Sequence, residues 1–196
     1  ENIFDFSAKT FNETDDDFAA PGRWDISDNG NVYIAPESDK YHIDVYNSDG
    51  DIEFSFNKDF NIRYRSKAEL QKLNDDNEAR FSHRRWYKPQ IFSETDKAIK
   101  LLRVHHDGTI WILDSYGAKN QPDGVISSWD VFSADGNYLR RVEVVVPGRN
   151  NDRLFFVDSD HVVIVHGFGN AEAALQGYET DDDASPVKVV CYRIVK

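Results

Sequence analysis

The chain has 196 residues, of which 40% are hydrophobic and 13% aromatic, and its formal net charge is −12. This length suffices for one domain with its own core, whereas the acidic balance argues against a nucleic-acid partner, which requires a basic patch. The single cysteine, Cys191, excludes an intrachain disulfide and a cysteine-based metal site, and no apolar run reaches transmembrane length.

The chain begins with a predicted strand over residues 1–12, where isolated apolar side chains alternate with polar ones. Residues 23–57 then show a four-strand pattern. Short runs of β-branched and aromatic residues are separated by tight turns at 27–30 and 47–50 and by a middle loop at 36–41. Both turns end in glycine, which tolerates the positive φ of a tight hairpin. The pattern predicts an antiparallel meander.

Residues 58–98 interrupt this rhythm with a predicted helical insertion. Ser66 followed by Glu69 is a capping-box pattern and indicates a short helix near 66–80. A basic and aromatic cluster follows, with Arg84, Arg85 and Trp86. It is interpreted either as a contact for a ligand or partner, or as a surface loop whose arginines pair with local acids.

Residues 99–145 repeat the four-strand pattern with a longer middle loop at 114–125. Because strand direction alternates, the two tight turns emerge at one edge of the sheet and the middle loop at the other. Loops on a rigid scaffold usually carry function, so the loop-bearing edge is the candidate functional surface. His105 lies in a tight turn at the opposite edge and is predicted to be solvent-exposed.

Residues 153–195 form a third, shorter unit. A predicted hairpin turns at 158–160, a long loop covers 167–186, and an apolar strand around Cys191 predicts that this side chain lies in the core. A fourth strand is missing. Residues 3–11 could supply it, or they could complete a further sheet upstream.

The sequence therefore predicts an all-β fold: a single β-propeller domain over 1–196 with about three and a fraction four-stranded antiparallel blades. Runs 25–34, 41–50, 102–111, 129–136 and 191–194 resemble the C-terminal blades of secreted bacterial members of the six-bladed NHL- and TolB-like propeller superfamily. The resemblance implies an extracellular or periplasmic location. A closed propeller needs at least four blades, so either further blades belong to a longer chain or a second chain completes the ring.

Polar residues follow the second predicted strand of each unit. Asp114 and His166 end that strand in their units, and Glu37 and Asp39 follow it in the first. If the units stack around an axis, these side chains converge, and oxygen ligands there would favour Ca²⁺. Asp114 and His166 are thus the candidate metal ligands. Lactonase-like propellers use such a Ca²⁺ to polarise a carbonyl; alternatively, polar residues at strand ends cap exposed backbone groups.

Three functional hypotheses follow. The favoured one is a non-enzymatic binding or scaffolding propeller, without a cofactor, whose loops 58–98, 114–125 and 167–186 contact a protein or small-molecule partner. The second is a Ca²⁺-dependent, lactonase-like hydrolase. The third is an assembly subunit whose edge strands pair with another chain, as a homo-oligomer or with the remaining blades of a longer chain. The candidate ligand-binding residues are Glu37, Asp39, Arg84, Arg85, Trp86, Asp114 and His166.

Overall fold

A computed structural model describes residues 13, 22–83, 89–119, 121–148, 152–158, 160–175 and 186–194. Within these ranges the chain forms eleven β-strands and two α-helices, arranged as three antiparallel sheets that do not close into a ring. The predicted β-rich architecture is confirmed at this level. The strand predicted for residues 1–12 lies outside the described residues. Among those described, no helix has both the length and the apolarity needed to cross a bilayer.

Sheet 1 is a meander in chain order. Its strands are β1 (Trp24–Ile26), β2 (Val32–Ile34), β3 (His42–Tyr46) and β4 (Ile52–Asn57). Gly30 and Gly50 have φ values of 89° and 87°, as the predicted tight turns require. Each glycine N–H donates to the carbonyl three residues earlier, which closes the turn.

Helix α1 (Lys67–Phe81) confirms the predicted insertion. The Ser66 side chain accepts a hydrogen bond from the Glu69 N–H at 3.2 Å, and the Glu69 carboxylate accepts one from the Ser66 N–H at 2.8 Å. This reciprocal pair satisfies two backbone donors at the helix start. It also directs the Glu69 carboxylate back toward the sheets.

Sheet 2 repeats the meander. Its strands are β5 (Ile99–Val104), β6 (Ile110–Asp114), β7 (Val125–Phe132) and β8 (Tyr138–Val145). Gly136, in the β7–β8 turn, has a φ of 76°, and a Cβ there would lie 2.6 Å from the Phe56 ring of sheet 1. This turn therefore needs glycine for its conformation and for its close contact with the neighbouring sheet.

Sheet 3 contains β9 (Arg153–Phe156), β10 (His161–His166) and β11 (Lys188–Arg193), in the order β11-β10-β9. The prediction of a loop throughout 167–186 is wrong for helix α2 (Phe168–Leu175). Alanine-rich sequence favours helix intrinsically. In addition, the Asp152 carboxylate accepts the Gly167 N–H at 2.9 Å just before the helix begins.

The core has two parts because sheet 2 lies between the other sheets. Strand β6 is buried along its whole length, and its side chains alternate between the two neighbours. Ile110 and Ile112 belong to a cluster shared with sheet 1. Trp111 and Leu113 belong to a second cluster, which Leu154 and Phe156 of sheet 3 cover. The three sheets therefore pack face to face, in chain order.

Two predictions about burial are wrong. Cys191 is exposed, because it lies on the side of sheet 3 that faces away from sheet 2. His105 is buried: its ring stacks on Trp111 with centroids 5.0 Å apart and contacts Phe156 at 4.7 Å. The β5–β6 turn is thus part of the contact between sheets 2 and 3, whereas the neighbouring His106 remains exposed.

Candidate functional site

The structure places the predicted site residues in different surroundings. Arg84, Arg85 and Trp86 lie outside the described residues. Glu37 and Asp39 lie in the β2–β3 loop, where the Glu37 carboxylate is 2.8 Å from the Lys40 ammonium. This ion pair, together with the charge of Asp39, raises the pKa of Lys40. The β2–β3 loop is thus a charged surface turn.

Asp114 is a buried carboxylate at the end of β6. Its Oδ1 accepts the Gly117 N–H at 2.5 Å, and its Oδ2 lies 3.2 Å from Nη1 of Arg141. Its backbone carbonyl also accepts the Ala118 N–H. Asp114 therefore shapes the turn after β6 and neutralises an arginine.

His166, at the end of β10, has a partner in the residue that precedes β9. Its Nδ1 lies 2.8 Å from Oδ2 of Asp152, whose Oδ1 accepts the Gly167 N–H. Across the described ranges, no group of three or more His, Cys, Asp or Glu side chains has a metal-binding arrangement. The Ca²⁺ site at Asp114 and His166 stays a prediction, and the structure instead brings Asp114 close to Asp130.

Five side chains form a group around a buried carboxylate, which we name the Asp130 cluster: Tyr41, Lys58, Asp114, Asp130 and Arg141. Asp130 is fully buried, and its Oδ2 accepts from the Tyr41 hydroxyl at 2.9 Å and the Lys58 ammonium at 2.6 Å. Its Oδ1 lies 3.1 Å from Nη1 of Arg141. Burial and the Asp130 charge raise the pKa of Tyr41 far above its usual range, so this phenol stays protonated and donates. The cluster ties sheet 1 to sheet 2.

A second group centres on Asp96, which is 1% exposed. We name it the Asp96 cluster. The carboxylate binds Arg63 and also accepts from Nε of Arg65 at 3.0 Å, from Lys100 at 3.0 Å and from Lys119 at 3.1 Å. Burial opposes ionisation, but these four cations outweigh it and hold the pKa of Asp96 below its usual range. Asp96 therefore stays charged at neutral pH.

Two further carboxylates extend the Asp96 cluster. Glu69, at the start of α1, lies 2.7 Å from Arg63 and 3.3 Å from Lys119. Its hydrogen bond from the Ser66 N–H and its contact with Arg63 lower its pKa to about 2. Glu13 accepts from Arg65 at 2.5 and 3.0 Å and from the Ser93 N–H at 3.1 Å. The cluster thus clamps the helical insertion to the sheets.

Sequence reasoning missed both clusters, because their partners lie far apart along the chain. In the Asp96 cluster, Arg63 and Arg65 are 33 and 31 residues from Asp96. In the Asp130 cluster, Tyr41 is 89 residues from Asp130. Arg63 and Arg65 are two residues apart, and in an extended segment this spacing places both side chains on the same side. That spacing was a weak signal for the cluster in the sequence.

An apolar cleft of about 330 Å³ opens between sheets 2 and 3. One wall is β8, with Val142 and Val144, and the other includes β11, with Tyr192. Phe156 and Val162 also line it, while Glu143 and Arg193 contribute opposite charges. A volume of this size and an apolar lining are typical of ligand-binding clefts. The cleft is therefore the strongest candidate binding site in the described residues.

His105 makes the contact between sheets 2 and 3 sensitive to protonation. It is 7% exposed, and neither ring nitrogen has a hydrogen-bond partner among the described residues. Burial lowers its pKa, although Asp107, Asp25 and Asp158 partly oppose this. The structure thus holds the neutral ring between aromatic neighbours.

We expect the free energy of unfolding to fall as the pH drops below the ordinary histidine pKa of about 6.5. There the unfolded chain protonates His105 while the folded chain resists, so unfolding takes up protons and stability rises with pH. The slope contributed by His105 is at most about 1.4 kcal/mol per pH unit. Urea unfolding between pH 5 and 7.5 measures it.

The control for this prediction is His105→Phe, which keeps an aromatic ring beside Trp111 and removes the titrating group. The variant should lose part of the pH slope between 5 and 6.5 and match the parent chain most closely near pH 7.5. Identical slopes for the two chains would contradict the assignment to His105.

The comparisons with known proteins give no family assignment. No model of a known protein family matches the chain, and no curated protein shows significant sequence similarity to it. The functional argument therefore rests on the cleft, the two clusters and the sheet arrangement.

Proposed function

We propose that this chain is a non-enzymatic binding protein of β-propeller type, which takes an extended segment of a protein partner in the cleft between β8 and β11. The cleft, with its volume of about 330 Å³ and its apolar walls, is the observation that carries this proposal. Three antiparallel meanders packed face to face in chain order support the propeller interpretation.

The strand order of sheet 3 explains why an extended segment fits. Strand β11 pairs with β10 on one side, and no described strand pairs with its other side. In sheets 1 and 2 the corresponding outer position is held by β4 and β8. A free strand edge presents unpaired backbone donors and acceptors, to which an added strand supplies hydrogen bonds.

The side chains of the cleft indicate the partner's chemistry. Successive side chains of an added strand point to opposite faces, so every second one would enter the cleft. Valines at 142 and 144 and the Tyr192 ring favour apolar side chains at those positions. Glu143 and Arg193 favour a partner segment that also carries charges. The proposed ligand is therefore an extended segment with alternating apolar and polar residues.

A peptide-binding experiment tests this proposal. The probe is a labelled nine-residue peptide in which valine alternates with lysine and glutamate, because the cleft walls are apolar and Glu143 and Arg193 add a charge of each sign. Fluorescence anisotropy with the full chain should show saturable binding. Val144→Asp should weaken it at least about tenfold, since it places an unpaired charge against an apolar side chain.

The matched control is Leu139→Asp, on the same strand. Leu139 is exposed and does not line the cleft, so this variant should bind the peptide as the parent chain does. Absence of saturable binding by the parent chain, or an equal loss in both variants, would contradict the proposed site.

The lactonase-like alternative has less support. It requires Asp114 and His166 to coordinate Ca²⁺, yet each already contacts an oppositely charged or hydrogen-bonding side chain. Asp114 contacts Arg141 of β8, and His166 contacts Asp152, which precedes β9. If Asp114 bound a metal instead of Arg141, Asp130 would be the remaining carboxylate in contact with the Arg141 guanidinium. An extracellular or periplasmic location remains a prediction from the family resemblance.

A further inference from the structure

The three sheets pack in a repeating, directional manner. We call the side of a sheet that faces the next sheet along the chain its front, and the opposite side its back. The front of sheet 1 thus contacts the back of sheet 2. The front of sheet 2 likewise contacts the back of sheet 3. The second strand of sheet 2 is β6, and its back positions are Ile110 and Ile112. The second strand of sheet 3 is β10, and its back positions are Val162 and Ile164. All four side chains are buried. Both internal interfaces therefore join a front to a back.

Sheet 1 has the same apolar pattern on its back. Val32 and Ile34 occupy the positions of Ile110 and Ile112, and their cross-strand partners are Ile26 and Trp24. Those positions are covered in the other two sheets, but Trp24 and Ile26 are each 51% exposed. The β1–β2 half of this back face is therefore apolar and exposed among the described residues. Its other half carries the polar side chains of His42, Asp44 and Ser55, where Asp44 accepts from the Ser55 hydroxyl at 2.6 Å.

The front of sheet 3 is the counterpart. Phe155 and Val163 are cross-strand partners on this side, as are Val165 and Val189. Phe155 is 44% and Val189 65% exposed, although the Phe168 ring of α2 contacts Phe155 at its edge. Among the described residues, the stack thus ends in a back and a front that both expose apolar side chains. At the front, α2 covers part of the surface, with the Arg153 guanidinium 4.4 Å from the centre of the Phe168 ring.

We propose that a second copy of this chain docks head to tail, with the front of sheet 3 of each copy against the back of sheet 1 of the other. The argument is continuity with the internal interfaces. The exposed apolar side chains of each end face occupy positions that the internal interfaces bury, and one end face is a front whereas the other is a back. Two such contacts would close a ring of six sheets, within the four to eight blades of propeller rings. The inference rests on the propeller interpretation. It does not rest on the peptide cleft, which lies on the back side of sheet 3.

Light scattering after gel filtration tests the second copy directly. The parent chain should have a native mass of twice 22.6 kDa. Trp24→Glu and Val189→Glu should each halve that mass, because docking would bury the introduced carboxylate without a partner of opposite charge. Tyr64→Glu is the control, since Tyr64 is 71% exposed and belongs to neither face. Far-UV circular dichroism confirms that each variant is folded.

Mixing the two monomeric variants tests the head-to-tail direction. In a pair of Trp24→Glu with Val189→Glu, one contact joins two unchanged faces and the other carries both substitutions. The mixture should therefore recover species of twice the monomer mass, which neither variant forms alone. A monomeric parent chain, an open series of larger oligomers, or no recovery on mixing would overturn the proposal. Peptide binding at the cleft should be unchanged in Trp24→Glu, because Trp24 lies on β1 of sheet 1 and does not line the cleft.

Discussion

Replacing Asp96 with alanine is expected to lower the free energy of unfolding by about 3–5 kcal/mol. Asp96 is buried among four cationic side chains, of which Arg65 is 4% exposed. Without the carboxylate, the positive charges of these side chains repel one another and lack hydrogen-bond acceptors. Because the site is buried, water cannot take the place of the carboxylate. Urea unfolding followed by tryptophan fluorescence at pH 7 measures the loss.

The matched control is Asp76→Ala on α1. Asp76 pairs with Lys72 at the same i,i+4 spacing that joins Asp96 to Lys100, but both partners are at least half exposed. Such surface pairs contribute little, so this loss should stay below about 1 kcal/mol. Similar losses for both variants would contradict the structural role of the Asp96 cluster.

The pH dependence of the Asp96 contribution has a definite sign. Its pKa is lower in the folded chain than the unfolded value of about 3.9. The stabilisation is therefore complete above the unfolded pKa and declines as the pH falls through the folded one. The difference between the parent chain and Asp96→Ala should accordingly be constant from pH 5 to 7.

Trp129→Ala is the second substitution with a large expected effect, about 3–5 kcal/mol. The Trp129 side chain is buried in the contact between sheets 2 and 3, with its ring 5.0 Å from Phe156 and nearly perpendicular to it. Its removal would leave a cavity beside Trp111 and Leu113 that the two sheets cannot close without losing their register. Urea unfolding at one fixed protein concentration measures the change.

Ser127→Ala separates the ring from its hydrogen bond. The indole N–H of Trp129 donates to the Ser127 hydroxyl at 2.9 Å, and both residues are buried. Losing this acceptor should cost about 1–3 kcal/mol, less than losing the ring. If Ser127→Ala destabilised the chain as much as Trp129→Ala, packing between the sheets would not be the dominant contribution of this side chain.

Local signals in the sequence were sufficient for most strands, the tight turns and α1. Asp-Gly and Asn-Gly pairs specify hairpins through backbone conformation, and Ser66 with Glu69 specifies a helix start within four residues. These features depend on near neighbours only. Helix α2 was not predicted because it is short and its first turn contains Gly169 and Asn170, which both disfavour a helix locally.

Burial and charge pairing were not accessible in the same way. His105 was predicted to be exposed because tight turns usually are, but Phe156, 51 residues later, covers it. Cys191 lies in an apolar run that predicted a core strand, yet its side chain is on the side of β11 that faces away from sheet 2 and is exposed. Asp114 was singled out correctly as a polar strand end, but its partner Arg141 comes from a strand two positions away in the sheet.

The position of sheet 2 between its neighbours imposes an order on local opening. Sheet 1 or sheet 3 can detach while the remaining pair keeps one complete interface, whereas β6 is released only when both interfaces are lost. Each sheet forms from strands adjacent in the chain, so a detached sheet can re-form from its own short-range contacts. Sheets 1 and 3 are thus the parts of the molecule that can leave sheet 2 and pack against another surface. Sheet 2 keeps its strand pairing while either of them is detached.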